Sequence, residues 1–201
     1  MRQNLDLKTL CNDYTKFAIN NEKLFSGVNY STIQYCNISV CRNHNRVSAA
    51  IHNFLSLYKN KTFLNIGMGP GFLENRIAIS KSVQMDSVEW ENQVQNFEPI
   101  LKHFDIKDKL TYTCNDITKD NFEIYNCNKT YDYLLLVRFF PLNAANATLE
   151  QTKERLNKLK KYSNKIFLFD IIEENYTNEQ VEYFASIGEN TPLGDSILLT
   201  L

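Results

Sequence analysis

Apolar residues along this chain follow two alternating rhythms. In one they recur every three or four positions, as a helix facing a core requires. In the other they form short continuous runs, as a buried strand requires. Leu5, Leu7, Leu10, Tyr14, Phe17 and Leu24 keep the helical rhythm, so one or two helices are predicted between residues 5 and 25. Residues 26–45, rich in Ser, Asn and Thr, read as loop. Val47, Ala50, Ile51, Phe54, Leu55 and Tyr58 then share one helical face. Thr62 to Ile66 is a compact apolar strand followed by glycines, and Phe72 to Ser80 reads as a helix.

The second half continues in the same way. Val83 to Trp90 reads as a second strand. Val94, Phe97, Ile100, Leu101 and Phe104 form a helical face, which Pro99 either kinks or restarts. Leu110 to Cys114 alternates as a third strand, and Tyr131 to Val137 is apolar throughout, as a strand covered on both faces must be. Thr148 with Gln151, and Thr177 with Gln180, are capping boxes that open two helices. The first carries Leu149, Thr152, Leu156 and Leu159 inward; the second runs through Val181, Phe184 and Ala185 to a stop at Gly188. Lys165 to Ile172 is another apolar strand, and Ser196 to Leu201 is the last.

Strand and helix therefore alternate from residue 47 onward. The expected fold class is α/β: a doubly wound, mostly parallel sheet with helices on both faces, plus an N-terminal helical extension. The expected domains are residues 1–46 as that extension or lid and residues 47–201 as a ligand-binding domain. In such sheets ligands sit beyond the carboxyl ends of the strands, near the point where strand order reverses.

Composition narrows the partners. The chain has 201 residues, 43% hydrophobic, with a formal net charge of -1. That balance argues against long nucleic acids and anionic membrane surfaces as partners. No apolar run is long enough to span a bilayer, and the first ten residues lack a signal-peptide core, so a cytoplasmic location is expected. The five cysteines are then expected to be reduced. Cys36, Cys41 and His44 are spaced loosely for zinc and need Cys11 or His52 as a fourth ligand, so no metal is expected.

The stretch Phe63-Leu64-Asn65-Ile66-Gly67-Met68-Gly69-Pro70-Gly71-Phe72 is where chemistry concentrates. A strand running through glycines into a helix brings backbone N–H groups to a ligand. A phosphate loop ends in Gly-Lys-Ser/Thr, which is missing, and a dinucleotide motif places glycine where Phe72 stands. The pattern is Gly67-x-Gly69-x-Gly71. With Asn65 and Ile66 ahead of it, this resembles the first motif of class I S-adenosylmethionine-dependent methyltransferases. Further matches follow in order. Glu89 ends the second predicted strand, Cys114-Asn115-Asp116-Ile117 ends the third, and Tyr131-Asp132 opens the fourth. The resemblance runs from about Val47 to Leu201.

The resemblance implies a cofactor, S-adenosyl-L-methionine, and a set of residues to hold it. Asn65, Gly67, Gly69 and Gly71 would meet its methionine end. Glu89 would accept the ribose hydroxyls, a task that suits an acceptor-only carboxylate. Trp90 would lie against the adenine, Asp116 would take the adenine amino group, and the Ile117 backbone would meet the ring. Val137 ends the fourth strand beside the site, and Arg46 is apt for the cofactor carboxylate. Arg138, Phe139 and Tyr30 are candidates for the substrate side. Two features depart from the family. Asn65 stands where an acid is usual, and one strand after the last helix, where two are usual, predicts a shortened sheet.

The expected function is methyl transfer from S-adenosylmethionine to a small molecule or metabolite. No nucleophile or catalytic triad is needed, because the cofactor carries the reactive group. Arg138-Phe139-Phe140-Pro141 stands where an Asn-Pro-Pro-Tyr motif would mark amino methylation of DNA bases or protein glutamine. The alternatives are an aminocarboxypropyl-transferring synthase of the same fold and a catalytically silent binding subunit. The expected partner is a small-molecule substrate, with a homodimer through the N-terminal helices left open.

Overall fold

The structure is a computed structural model. It describes residues 54–58, 60–66, 84–89, 98–105, 110–114, 129–137, 147–169, 176–190 and 196–201, and single positions between 9 and 23. Seven strands are described: β1 (Thr62–Ile66), β2 (Gln84–Glu89), β3 (Leu110–Cys114), β4 (Tyr133–Val137), β5 (Lys165–Phe169), β6 (Gly188–Asn190) and β7 (Ser196–Thr200). Three helices with described bounds are α1 (Glu98–His103), α2 (Leu149–Leu159) and α3 (Asn178–Ile187). Residues 54–57 are helical too, as are the described positions from Thr9 to Asn20 other than residues outside the description. Pro99 lies in the first turn of α1, where its missing N–H costs nothing.

The strands form one sheet in the order β3-β2-β1-β4-β5-β7-β6. β1 pairs in parallel with β2 and β4, and β3 and β5 extend the parallel set outward. β7 runs antiparallel to both β5 and β6. The expected doubly wound sheet is present, but it is not shortened. β6 supplies the strand that Gly188-Glu189-Asn190 does not announce, having no apolar residue and no β-former. Gly188 ends α3 and begins β6 in extended conformation rather than in a left-handed cap. A Cβ there would stand 2.6 Å from Ile197 Cγ2 and 2.8 Å from both Leu199 Cδ2 and the Phe184 oxygen. Only glycine lets the helix end lie this close to β7.

Strand side chains alternate between the two faces. Leu64, Ile66, Leu134, Leu136, Ile166 and Leu168 face Leu156 and Leu159 of α2 and Phe184 of α3. The opposite face is aromatic. Phe54 packs 3.8 Å from Phe167 and 5.4 Å from Phe169, between ring centroids, and Phe63 stacks on Tyr133 at 5.5 Å. β1 is thus paired on both edges and covered on both faces, which is why Phe63, Leu64 and Ile66 are apolar.

Both capping boxes form. Thr148 Oγ1 accepts from the Gln151 N–H at 3.2 Å, and Gln151 Oε1 accepts from the Thr148 N–H at 2.9 Å. Thr177 and Gln180 repeat this at 3.3 and 3.0 Å. Gln180 is fully buried, and its Nε2 also donates to Thr152 Oγ1 at 2.9 Å and to the Ala147 oxygen at 3.3 Å. The cap of α3 therefore fastens the start of α2.

The amino ends of β1 and β4 are clamped by Asp132. Its carboxylate accepts from the Thr62 N–H at 2.9 Å, from Thr62 Oγ1 at 3.0 Å and from Lys61 Nζ at 3.1 Å. The Thr62 backbone donor, with help from Lys61 and the Thr62 hydroxyl and against some desolvation, holds this carboxyl below its usual pKa. Beside it, Tyr131 donates to Asp86 at 2.5 Å and Lys129 Nζ lies 2.6 Å from the same oxygen. Burial first, and then the bond to Asp86, raises the Tyr131 phenol, so it stays a donor at all ordinary pH. The Tyr131-Asp132 pair is thus a structural clasp at the edge of the sheet remote from the strand carboxyl ends.

Two outcomes follow from this packing. Gly188→Ala is expected to lower unfolding stability by about 1–3 kcal/mol, the usual cost of overpacking, in a urea titration. A depressed carboxyl pKa gives stability that is complete above the unfolded value of about 3.9 and is lost as pH falls through the folded one. The urea midpoint of Asp132→Asn should therefore lie below that of the unaltered protein at pH 7, and the gap should close as pH drops below about 4. A gap that stays constant down to pH 2 would mean the Asp132 charge is irrelevant to the clasp.

Candidate functional site

The strand order reverses between β1 and β4: from β1 the sheet grows one way through β2 and β3, and from β4 the other way through β5. The crevice at the carboxyl ends of these strands is where open α/β sheets bind ligands. Three of the residues singled out in the sequence end or nearly end those strands. Asn65 is the penultimate residue of β1, Glu89 the last of β2, and Val137 the last of β4. The register puts Asn65 opposite Ser87 on one side and Leu135 on the other, with Glu89 two positions beyond Ser87 and opposite Cys114. Gly67, Gly69, Gly71, Trp90, Asp116, Ile117, Arg46, Arg138, Phe139 and Tyr30 lie outside the described residues. So do the cysteines and histidines at 11, 36, 41, 44 and 52. Among the described residues no three His, Cys, Asp or Glu side chains gather as a metal-binding group, and no helix is long and apolar enough to cross a membrane.

Asn65 is the informative residue. Four polar side chains among the described residues are buried: Asn65, Thr152, Ser163 and Gln180. Thr152 and Gln180 bond to each other at 2.9 Å, and Ser163 Oγ accepts from the Lys165 N–H at 3.1 Å. Asn65, with no exposure at all, has no hydrogen-bond partner among the described residues for either Oδ1 or Nδ2. Each buried polar group left in that state costs about 1–3 kcal/mol. Of its neighbours with described side chains, Phe63, Leu64, Ile66 and Leu135 are all buried and apolar. An amide held unpaired at the carboxyl end of the central strand is complementary to a polar ligand group entering the crevice. The residues that are placed here fit an S-adenosylmethionine site on this ground, together with the strand-end position of Glu89.

The Thr148 and Thr177 hydroxyls already occupy donors in the first turns of α2 and α3. What pattern reading did not supply is the joining of these two helix starts by Gln180. Gln151 and Gln180 occupy the same place in the same motif, and only packing makes one exposed and the other buried.

No family model matches the sequence, and no curated protein is similar to it. Solved structures are. Magnesium protoporphyrin IX methyltransferase from Synechocystis, a structure with bound S-adenosylmethionine, is 12% identical with a TM-score of 0.57, over 99% of this chain and 98% of that one. An S-adenosylmethionine-dependent methyltransferase from Aquifex aeolicus is 12% identical with a TM-score of 0.56, over 97% and 98%. N,N-8-amino-8-demethyl-D-riboflavin dimethyltransferase from Streptomyces davawensis is 9% identical with a TM-score of 0.58, over 98% and 69%. The chain spans only 58%, 43% and 58% of the length of three further structures, at TM-scores of 0.44, 0.47 and 0.47. At these identities the likeness shows the fold: this chain has the class I fold of S-adenosylmethionine-dependent methyltransferases.

Replacing Asn65 by leucine keeps the branched side-chain skeleton and removes two unpaired polar atoms, with methyl groups somewhat larger than the amide oxygen and nitrogen. Asn65→Leu is expected to raise the stability of the ligand-free protein by about 1–3 kcal/mol, roughly 2–4 °C in Tm for each kcal/mol. A drop in Tm on scanning calorimetry would mean that the amide is satisfied in the ligand-free protein.

Proposed function

We propose that this chain is an S-adenosylmethionine-dependent methyltransferase acting on a small molecule. The observation that supports it is the pairing of this fold with a buried, unpartnered Asn65 at the point where strand order reverses. When bound, the cofactor supplies an electrophilic methyl group on a sulfonium. The protein's part is to hold, orient and keep water away, which needs no acid or base of its own.

In this reading Asn65 and the backbone at Gly67, Gly69 and Gly71 receive the methionine end. Glu89 accepts from the ribose hydroxyls, Trp90 covers the adenine, and Asp116 with the Ile117 backbone meets its edge. Arg46 pairs with the cofactor carboxylate, and Val137 closes the wall beside it. The acceptor lies over the ends of β4 and β5, against Arg138, Phe139 and Tyr30, with residues 1–46 as the roof. Two of the similar structures are named for small-molecule acceptors, a porphyrin and a riboflavin derivative, which favours that substrate class. The near-neutral net charge of -1 favours it too.

Titration calorimetry tests the reading. S-adenosylmethionine and S-adenosylhomocysteine are both expected to bind, and Glu89→Ala is expected to weaken S-adenosylhomocysteine about 10- to 100-fold, the loss of hydrogen bonds to a charged acceptor. Failure of the unaltered protein to bind either ligand would sink the enzyme reading and favour a catalytically silent subunit. Binding that survives Glu89→Ala undiminished would remove Glu89 from the ribose.

A further inference from the structure

Charge is not spread evenly over this molecule. The parallel strands start at one edge of the sheet and end at the crevice. At the starting edge Lys165 opens β5, Lys160 caps the end of α2 and Lys161 follows it, and all three are exposed. Lys161 Nζ lies 4.9 Å from the centre of the Tyr162 ring, and Lys165 Nζ lies 5.8 Å from that of Tyr133, the first residue of β4. Lys61 and Lys129 stand at the same edge, where Asp132 and Asp86 pair with them at 3.1 and 2.6 Å. Each of these two acids is thus matched by one lysine, and Lys160, Lys161 and Lys165 add to the edge beyond them. No Lys or Arg follows Lys165 in the sequence. Glu89, at the end of β2, and Glu150 and Glu179, in the first turns of α2 and α3, lie toward the other edge. The net charge of -1 averages over this separation, so it does not describe what either edge attracts.

Two large apolar side chains are exposed among the described residues, and both lie at the lysine edge. Leu57, 70% exposed, precedes Tyr58, whose carbonyl oxygen accepts from the Lys61 N–H at 3.3 Å just before β1. Ile19, 54% exposed, lies two residues after Phe17, whose ring is 4.4 Å from His103 and 5.5 Å from Phe104 at the end of α1. α1 joins the parallel strands β2 and β3, so it ends toward the start of β3. Either side chain alone would call for no explanation. Together, at the edge that also carries the lysines, they form one surface. From β3 to β5 is four strand spacings, about 19 Å. Lysines gathered around a small anion would converge on a point, whereas these groups are strung along an edge.

We propose that this edge docks the protein on an anionic lipid surface, with Lys160, Lys161 and Lys165 among the headgroups and Leu57 and Ile19 entering the interface. A dissolved polyanion has no use for the two apolar side chains, and a neutral apolar partner has none for the lysines. A bilayer bearing acidic headgroups uses both, since apolar burial and attraction to anionic lipid add. The crevice then faces away from the lipid, about 17 Å from it by the length of a five-residue strand. Ligands reach it from the water side. The docking does not depend on the methyltransferase reading.

Sedimentation of the full chain with vesicles tests this, using phosphatidylcholine alone and an equal mixture with phosphatidylserine. Binding to the mixed vesicles is expected to be at least about 10-fold tighter than to the neutral ones. It is expected to weaken as salt shortens the Debye length from about 10 Å at 0.1 M to about 3 Å at 1 M. Lys160→Gln combined with Lys165→Gln is expected to weaken it about 25-fold, about 5-fold for each charge removed. Leu57→Ser is expected to weaken it about 10-fold. All three positions are exposed, so the variants are expected to keep the circular dichroism of the unaltered protein. Equal binding to both kinds of vesicle, or binding to neither, overturns the inference. So does binding that the paired lysine variant leaves undiminished. Vesicle binding that ignores Leu57→Ser, alongside equally tight binding of heparin, assigns the edge to a dissolved polyanion and overturns the lipid.

Discussion

The double pairing of β1 is the constraint on which the rest of this structure depends. Its backbone groups are consumed by ladders with β2 and β4, and its side chains are covered by α2 on one face and by the Phe54 layer on the other. A strand in that position can do chemistry only at its ends. Parallel neighbours then bring the carboxyl ends of five strands to one edge, which concentrates whatever chemistry there is. β7 runs against these strands, and the three-residue β6 beyond it runs with them at the far margin of the sheet.

The two edges have divided roles. At the amino edge every charged group described in the clasp has its partner: Asp132 with Thr62 and Lys61, Asp86 with Tyr131 and Lys129. These contacts bind strands far apart in sequence and leave little for a ligand. The start of α2 is fastened to α3 through Gln180, so these two helices present a fixed frame. A frame of that kind, held by buried and fully satisfied polar groups, keeps the crevice walls from drifting. Among the described residues the buried atoms that break the rule of satisfaction are both polar atoms of Asn65, near the carboxyl end of β1, and Arg155 Nη1 on α2.

Much of this was legible in the sequence because it depends on local pattern. Leu110–Cys114 alternates and is a strand with those bounds; both capping boxes form with the partners their spacing implies. The glycine motif announced the fold through its resemblance. What was not legible depends on contacts between distant residues. β6 exists because Gly188 fits between Ile197 and Leu199, and nothing in Gly-Glu-Asn says so. Asp86 reads as a polar interruption of a strand until Tyr131 is found 45 residues away. Asn65 reads as a substitution for an expected acid. That it is buried, and that nothing among the described residues satisfies it, follows only once β1 is paired between β2 and β4 in the folded sheet.

Asn65 is also where stability and recognition oppose each other. A leucine in its place would complete an apolar strand whose other core residues are already chosen for burial. Keeping an amide instead leaves a buried polar group unpaired at about 1–3 kcal/mol, a sizeable share of the 5–15 kcal/mol that holds a typical domain together. The cost is bearable because β1 is held by interactions that do not involve this residue: two ladders, the Asp132 clasp and the aromatic layer. The unpaired amide is thus a local cost that folding carries without return. A rigid sheet is what makes it possible, since a softer surround would collapse onto the amide or let it turn toward water.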